Sequence, residues 1–94
     1  MNNKTLKRDK LKVIYDILKI IREHNNSIRA TPLLRFSNLS FRSFSEYESE
    51  IIQKEFIKII EDKKKKKYYT LTSKGFEYLD KYKLIQRFIE DFDL

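Results

Sequence analysis

Two short β-branched runs, "FIKII" (Phe56 to Ile60) and "YYTL" (Tyr68 to Leu71), bracket the seven residues Glu61 to Lys67, and five of those are consecutive lysines. Apolar runs this short and this close read as the two strands of a hairpin, with Glu61 to Lys67 as its loop. A lysine run in a tail is simply solvated. One whose ends are pinned by paired strands is held at a fixed place on the surface. The rest of the chain has helical periodicity, and one glycine and one proline in 94 residues leave few tight turns. The pattern predicts a single small domain, mainly α with a small β-hairpin (α+β).

The first helix is expected over roughly Lys7 to His24. Its apolar residues (Leu11, Val13, Ile14, Tyr15, Ile17, Leu18, Ile20, Ile21) sweep an arc of roughly 220° at helical spacing. That is wider than the stripe of an ordinary surface helix, so either the domain wraps it from two sides or a second chain covers part of it. Asn25 and Asn26 suit a helix end and turn. Ile28 and Arg29 are candidates for a two- or three-residue strand. Thr31 is an N-cap candidate with Pro32 at the first helical position, opening a short helix to Phe36. A third helix follows, with Ser40 as one N-cap candidate and Ser43 with Glu46 as a capping box. Phe41, Phe44, Tyr47, Ile51 and Ile52 share its apolar face. The last helix runs from Ser73 to about Phe92 with Thr72 as N-cap.

The order is helix, tiny strand, short helix, helix, strand, charged loop, strand, helix. This is the order of a winged helix-turn-helix, with the hairpin as wing and "SNLS" as the turn between the second and third helices. Residues 1–72 would be the winged domain, and residues 73–94 a long helix for packing and dimerisation.

"NLSFRSFSEY", "IIQKEFI" and "YYTLTSKGFEYLDKY" resemble the small archaeal winged-helix DNA-binding proteins. That family has an N-L-S-aromatic turn into its recognition helix and an aromatic–L-T-x-K-G junction into a C-terminal helix that forms an antiparallel coiled-coil dimer. The resemblance implies duplex DNA as partner, in transcription regulation or nucleoid association. It makes Leu39 and Phe41 structural, brings Arg42, Ser43 and Ser45 to DNA, and makes the lysine run the wing tip. Two positions depart from the family: Glu55 stands where it often has glycine, and Glu48 where it is usually apolar.

A formal net charge of +7 favours a polyanionic partner. Residues 1–12 hold five bases and one acid, and residues 58–67 six bases and two acids, whereas residues 40–55 hold two bases and four acids. Phosphates repel carboxylates, so only the start of the third helix suits a groove. Arg42 is a candidate for bidentate contact with guanine, and Ser40, Ser43 and Ser45 for base edges or phosphate. The competing role for Arg42 is an ion pair with Glu46. Arg29, Arg35 and the wing lysines Lys63, Lys64, Lys65, Lys66 and Lys67 would contact phosphate. Of Tyr68 and Tyr69, strand alternation puts one in the core and one outside.

In the last helix Tyr78, Tyr82, Ile85, Ile89 and Phe92 repeat at heptad spacing, flanked by Phe76, Leu79, Leu84 and Phe88. A homodimer through this helix, with the first helix flanking the seam, would cover both unpartnered faces. The chain has no cysteine, which removes disulfides, thiolate metal sites and a cysteine nucleophile. His24, the only histidine, has no companion ligand and lies near a helix end. No phosphate-cradling glycine loop or catalytic centre is legible, so neither enzyme activity nor a cofactor or metal is expected. No apolar run is long enough for a membrane span, and a cytoplasmic location is expected. The functional alternative is a winged helix reused as a protein-interaction module.

Overall fold

The computed structural model describes residues 8–94, as four helices and one two-stranded antiparallel hairpin: α1 (Lys10–Glu23), α2 (Ala30–Ser37), α3 (Phe41–Gln53), β1 (Ile57–Glu61), β2 (Lys67–Leu71) and α4 (Ser73–Asp91). Lys4 and Lys7 of the expected basic arm lie outside the described residues. α1 starts at Lys10 rather than Lys7, because Asp9 caps it by accepting from the Lys12 N–H. Its wide apolar arc closes inside the chain. Val13, Ile14, Tyr15, Ile17, Leu18 and Ile21 are all buried, with α2, β2 and α4 packed around them. Only Leu11 stays substantially exposed, so helix one has little apolar surface left for a partner.

α1 ends at His24, whose backbone N–H donates to Ile20 and Ile21 and whose ring packs against Phe36. Asn25 and Asn26 both take left-handed backbone angles (φ 60° and 56°), which asparagine tolerates better than most residues. Asn26 Oδ1 then accepts from the Leu71 N–H at 2.7 Å, tying this turn to the wing. The strand expected at Ile28 and Arg29 is one residue long: Ile28 forms a single antiparallel bridge to Tyr69.

α2 starts two residues earlier than its expected first residue, Pro32. Arg29 is the N-cap, without a side-chain cap bond, and Pro32 is the third helical residue. Proline fits there because the first-turn N–H groups have no intrahelical acceptor. Asn38 closes α2 at φ 63°. Of the two N-cap candidates for α3, Ser40 is the one used, accepting from the Ser43 N–H.

The hairpin register pairs Ile57 with Leu71 through to Glu61 with Lys67, so the loop shortens to Asp62–Lys66. Glu55 has φ 63° at the α3–β1 turn, where the resembling family favours glycine. Thr72 caps α4 by accepting from the Gly75 N–H at 3.1 Å, and its own N–H donates to the Phe56 carbonyl at 3.1 Å. This clamp presses α4 onto the β1 entry so closely that a Cβ on Gly75 would lie 2.2 Å from the Phe56 oxygen. Backbone cannot yield as a flexible side chain does. Gly75→Ala is therefore expected to cost about 1–3 kcal/mol, read as a lower urea midpoint.

The proximal part of α4 belongs to the core. Leu79 is fully buried, Tyr82 stacks on Tyr15 (centroids 4.6 Å), and Tyr78 packs on Phe56 and donates to the Leu11 carbonyl at 2.8 Å. Burial, before any charge effect, pushes the Tyr78 hydroxyl up to about 12, so it remains a donor at any physiological pH. Beyond Tyr82 the helix leaves the domain, and the longest dimension reaches 49 Å against 27 and 22 Å across.

Candidate nucleic-acid interface

The wing tip is ordered by an aspartate. Asp62 Oδ1 accepts from the Lys64 and Lys66 N–H groups, each at 2.9 Å, while Asp62 and Lys66 close the hairpin through their backbones at 3.0 Å. Lys65 sits at the apex with φ 64°. An aspartate bonding backbone two residues ahead is a turn former, and that signal is present in "EDKKK". Lys63 to Lys67 are all exposed, and none takes part in the ion pairs found among the described residues.

The basic arm differs in this respect. Arg8 pairs with Asp16 at 2.8 Å and also donates to the Ser37 carbonyl. Lys12 pairs with Asp16 at 2.8 Å, and Lys10 with Glu50 at 2.6 Å. Three of its five bases are therefore matched by acids within the chain. Glu50 is held between Lys10 and Lys54, and hydrogen bonds to these two lysines hold its carboxyl below the usual carboxylate value. This pairing offsets part of the acidity of α3.

Glu48 lies inward and accepts a hydrogen bond from the Tyr69 hydroxyl. Partial burial pushes its carboxyl above the ordinary 4.5. Its charged form therefore costs stability at neutral pH, and the cost fades as pH falls through the raised value. Glu48→Gln is expected to raise the melting temperature modestly at pH 7. The gain over wild type should shrink toward zero as the pH drops to the ordinary 4.5 and below, which a pH series of thermal melts reads directly.

The structure brings some of the expected contact residues together. Arg29 shares a cleft of about 340 Å³ with Lys65, Lys66 and Lys67, walled by Ala30 and Thr31 at the start of α2. Those two wall residues also border a second recess, of about 200 Å³, together with Phe41, Ser45 and Glu48. The wing tip, the start of α2 and the start of α3 thus border one continuous surface. Arg42 projects from the first turn of α3 with its side chain 92% exposed, its nearest acid Glu46 at 3.9 Å. Ser40 is occupied as the helix cap, and Ser43 supplies the backbone N–H it caps. Arg35 lies over the Phe36 ring in the last turn of α2 and borders neither cleft.

Phe41 is not the core residue expected. It is 73% exposed, while Phe44 fills the core and Leu39 packs beside it. As the first residue of α3 it stands about 60° around the helix from Phe44, beyond the edge of the buried face. Tyr69 is the buried tyrosine of the pair, and Tyr68 is half-buried.

Among the described residues, no group of three or more His, Cys, Asp or Glu could hold a metal ion, and no helix is long and apolar enough to cross a membrane.

On α4, Tyr78 and Tyr82 are engaged within the chain. Ile85, Phe88, Ile89 and Phe92 remain 41–64% exposed, and the Phe88 and Phe92 rings pack on each other at 4.8 Å.

Comparison with known proteins agrees with this geometry. An uncharacterized protein of Methanocaldococcus jannaschii is 33% identical over 85 residues, which cover 90% of this chain and 37% of that protein. The chain thus spans little more than a third of that relative's length. Among solved structures, Sso10a-2, a DNA-binding protein from Sulfolobus solfataricus, superposes with a TM-score of 0.73 over 90% of this chain and 85% of its own, at 16% identity. At that identity the likeness is one of fold. The winged helix-turn-helix profile matches residues 7–90, nearly the whole chain, and with the helix order, the wing and the turn at Asn38 in place, the chain belongs to the winged helix-turn-helix family.

Proposed function

We propose that the protein binds duplex DNA as a homodimer, acting in the cytoplasm as a transcriptional regulator or nucleoid-associated protein, with phosphate contacts led by the lysine-rich wing. The observation that carries this reading is the cleft between wing and α2. Three wing lysines outside every ion pair among the described residues meet Arg29 there, on a hairpin tip held by Asp62. A fixed array of cations matches the regular charge of a duplex backbone and releases its counterions on binding. Arg29, Arg35 and Lys63 to Lys67 contact phosphate. Ser40, Ser43 and Ser45 lie near the backbone or base edges, and Arg42 reaches into the groove. The DNA-binding character of Sso10a-2, which shares the fold, supports the same reading.

Dimerisation rests on the distal half of α4. Its apolar stripe is 41–64% exposed among the described residues, and a second copy would cover it at heptad spacing. Two wings on one dimer would then grip two stretches of backbone at once. A native-gel competition between labelled duplex DNA and duplex RNA of equal length tests the assignment. The expected result is a shifted DNA complex that duplex RNA displaces poorly. Absence of any shifted complex at low salt and micromolar protein would contradict it, and would favour the protein-interaction alternative.

A further inference from the structure

We propose that Phe41 is a specificity-determining residue that packs its ring on the C5-methyl group of thymine in the major groove. The inference rests on the DNA-binding reading and deepens it. Phe41 is the first residue of α3, and its large apolar side chain is 73% exposed although the core is completed one turn later by Phe44. A ring this exposed on the first turn of the helix is open to contact with an apolar group of a bound duplex. Next to it, Arg42 projects with its side chain 92% exposed, so the start of the helix offers one apolar and one cationic probe.

The recess that Phe41 borders is lined by Ala30, Thr31, Leu34 and the acidic residue Glu48. A carboxylate there repels phosphate, while the adjoining cleft, reached across Ala30 and Thr31, holds the lysines that attract it. The division of charge directs backbone to the wing and base edges to Phe41. In the major groove the apolar feature that distinguishes one base from the others is the thymine methyl, and apolar side chains read it by contact.

The test compares an alternating A·T duplex with its A·U counterpart, which lacks only that methyl. Wild type is expected to bind the A·T duplex about three- to fivefold more tightly for each methyl covered. Phe41→Ser should bind both duplexes alike while melting at the wild-type temperature, since the ring is exposed. Lys66→Gln should weaken both duplexes equally and leave the ratio intact. Equal wild-type affinity for the two duplexes would overturn the proposal, as would a preference that survives Phe41→Ser; either result would turn Phe41 toward a protein partner. Failure to bind any duplex would overturn the DNA reading itself, a result distinguishable from parity between two bound duplexes.

Discussion

Replacing Lys63, Lys64, Lys65, Lys66 and Lys67 together by glutamine is expected to lower duplex-DNA affinity by about a hundredfold or more near ~0.1 M salt, with the fold intact. At that salt, each phosphate left without its lysine lowers affinity by roughly a factor of ten through counterion release, so the loss of even one such contact per copy of a dimer gives the lower bound. The fold is spared because the tip is held by backbone atoms and by the Asp62 carboxylate, neither of which the substitution touches. All five side chains are exposed, so core packing is unchanged. Fluorescence anisotropy gives the affinity and thermal melting the control. An unchanged affinity would mean that the wing lysines serve solubility alone.

Ile85→Lys combined with Ile89→Lys is expected to convert the proposed homodimer to monomer, weakening self-association at least about a thousandfold. Each substitution removes an apolar side chain worth ~1.5–3 kcal/mol on burial, and symmetry applies it twice. The same variant should lose DNA affinity although it gains two positive charges per chain. Electrostatics alone predicts the opposite sign, so a loss identifies linkage of two binding surfaces as the cause. The monomer should keep its fold, because Leu79, Tyr78 and Tyr82 anchor α4 one and two turns earlier. Sedimentation across a concentration series reads the first effect. A wild-type chain that stays monomeric at high micromolar concentration would remove the basis for both.

Features set by local chemistry are legible in the sequence. Ser40 and Thr72 cap their helices, Asn38 ends α2, and the two β-branched runs form the wing, because side-chain type and spacing within a few residues decide each of these. The features that differ depend on distant partners. The arc of α1 looks too wide for a monomer because α2, β2 and α4 all pack on it, which helical periodicity does not reveal. The arm's charge looks free because Arg8 and Lys12 meet Asp16 on the helix itself, while Lys10 meets Glu50 from α3 across some forty positions of sequence. Phe41 looks like core because its helical phase is close to that of Phe44, yet at the first position of α3 it stays 73% exposed beside the recess at the start of α2. At the candidate site the lysines and Arg29 are readable as types, whereas their meeting in one cleft depends on the bridge of Ile28 to Tyr69, which sets the start of α2 beside the wing. Asp62 is a local signal that the density of lysine around it obscures.

The central claim is phosphate-led binding by a dimer, and the dependence of affinity on salt tests it most directly. If each copy neutralises about four to five phosphates, a plot of log affinity against log salt concentration on random-sequence duplex should fall with a slope of about −7 to −9. An affinity that barely changes between low and moderate salt would contradict the account.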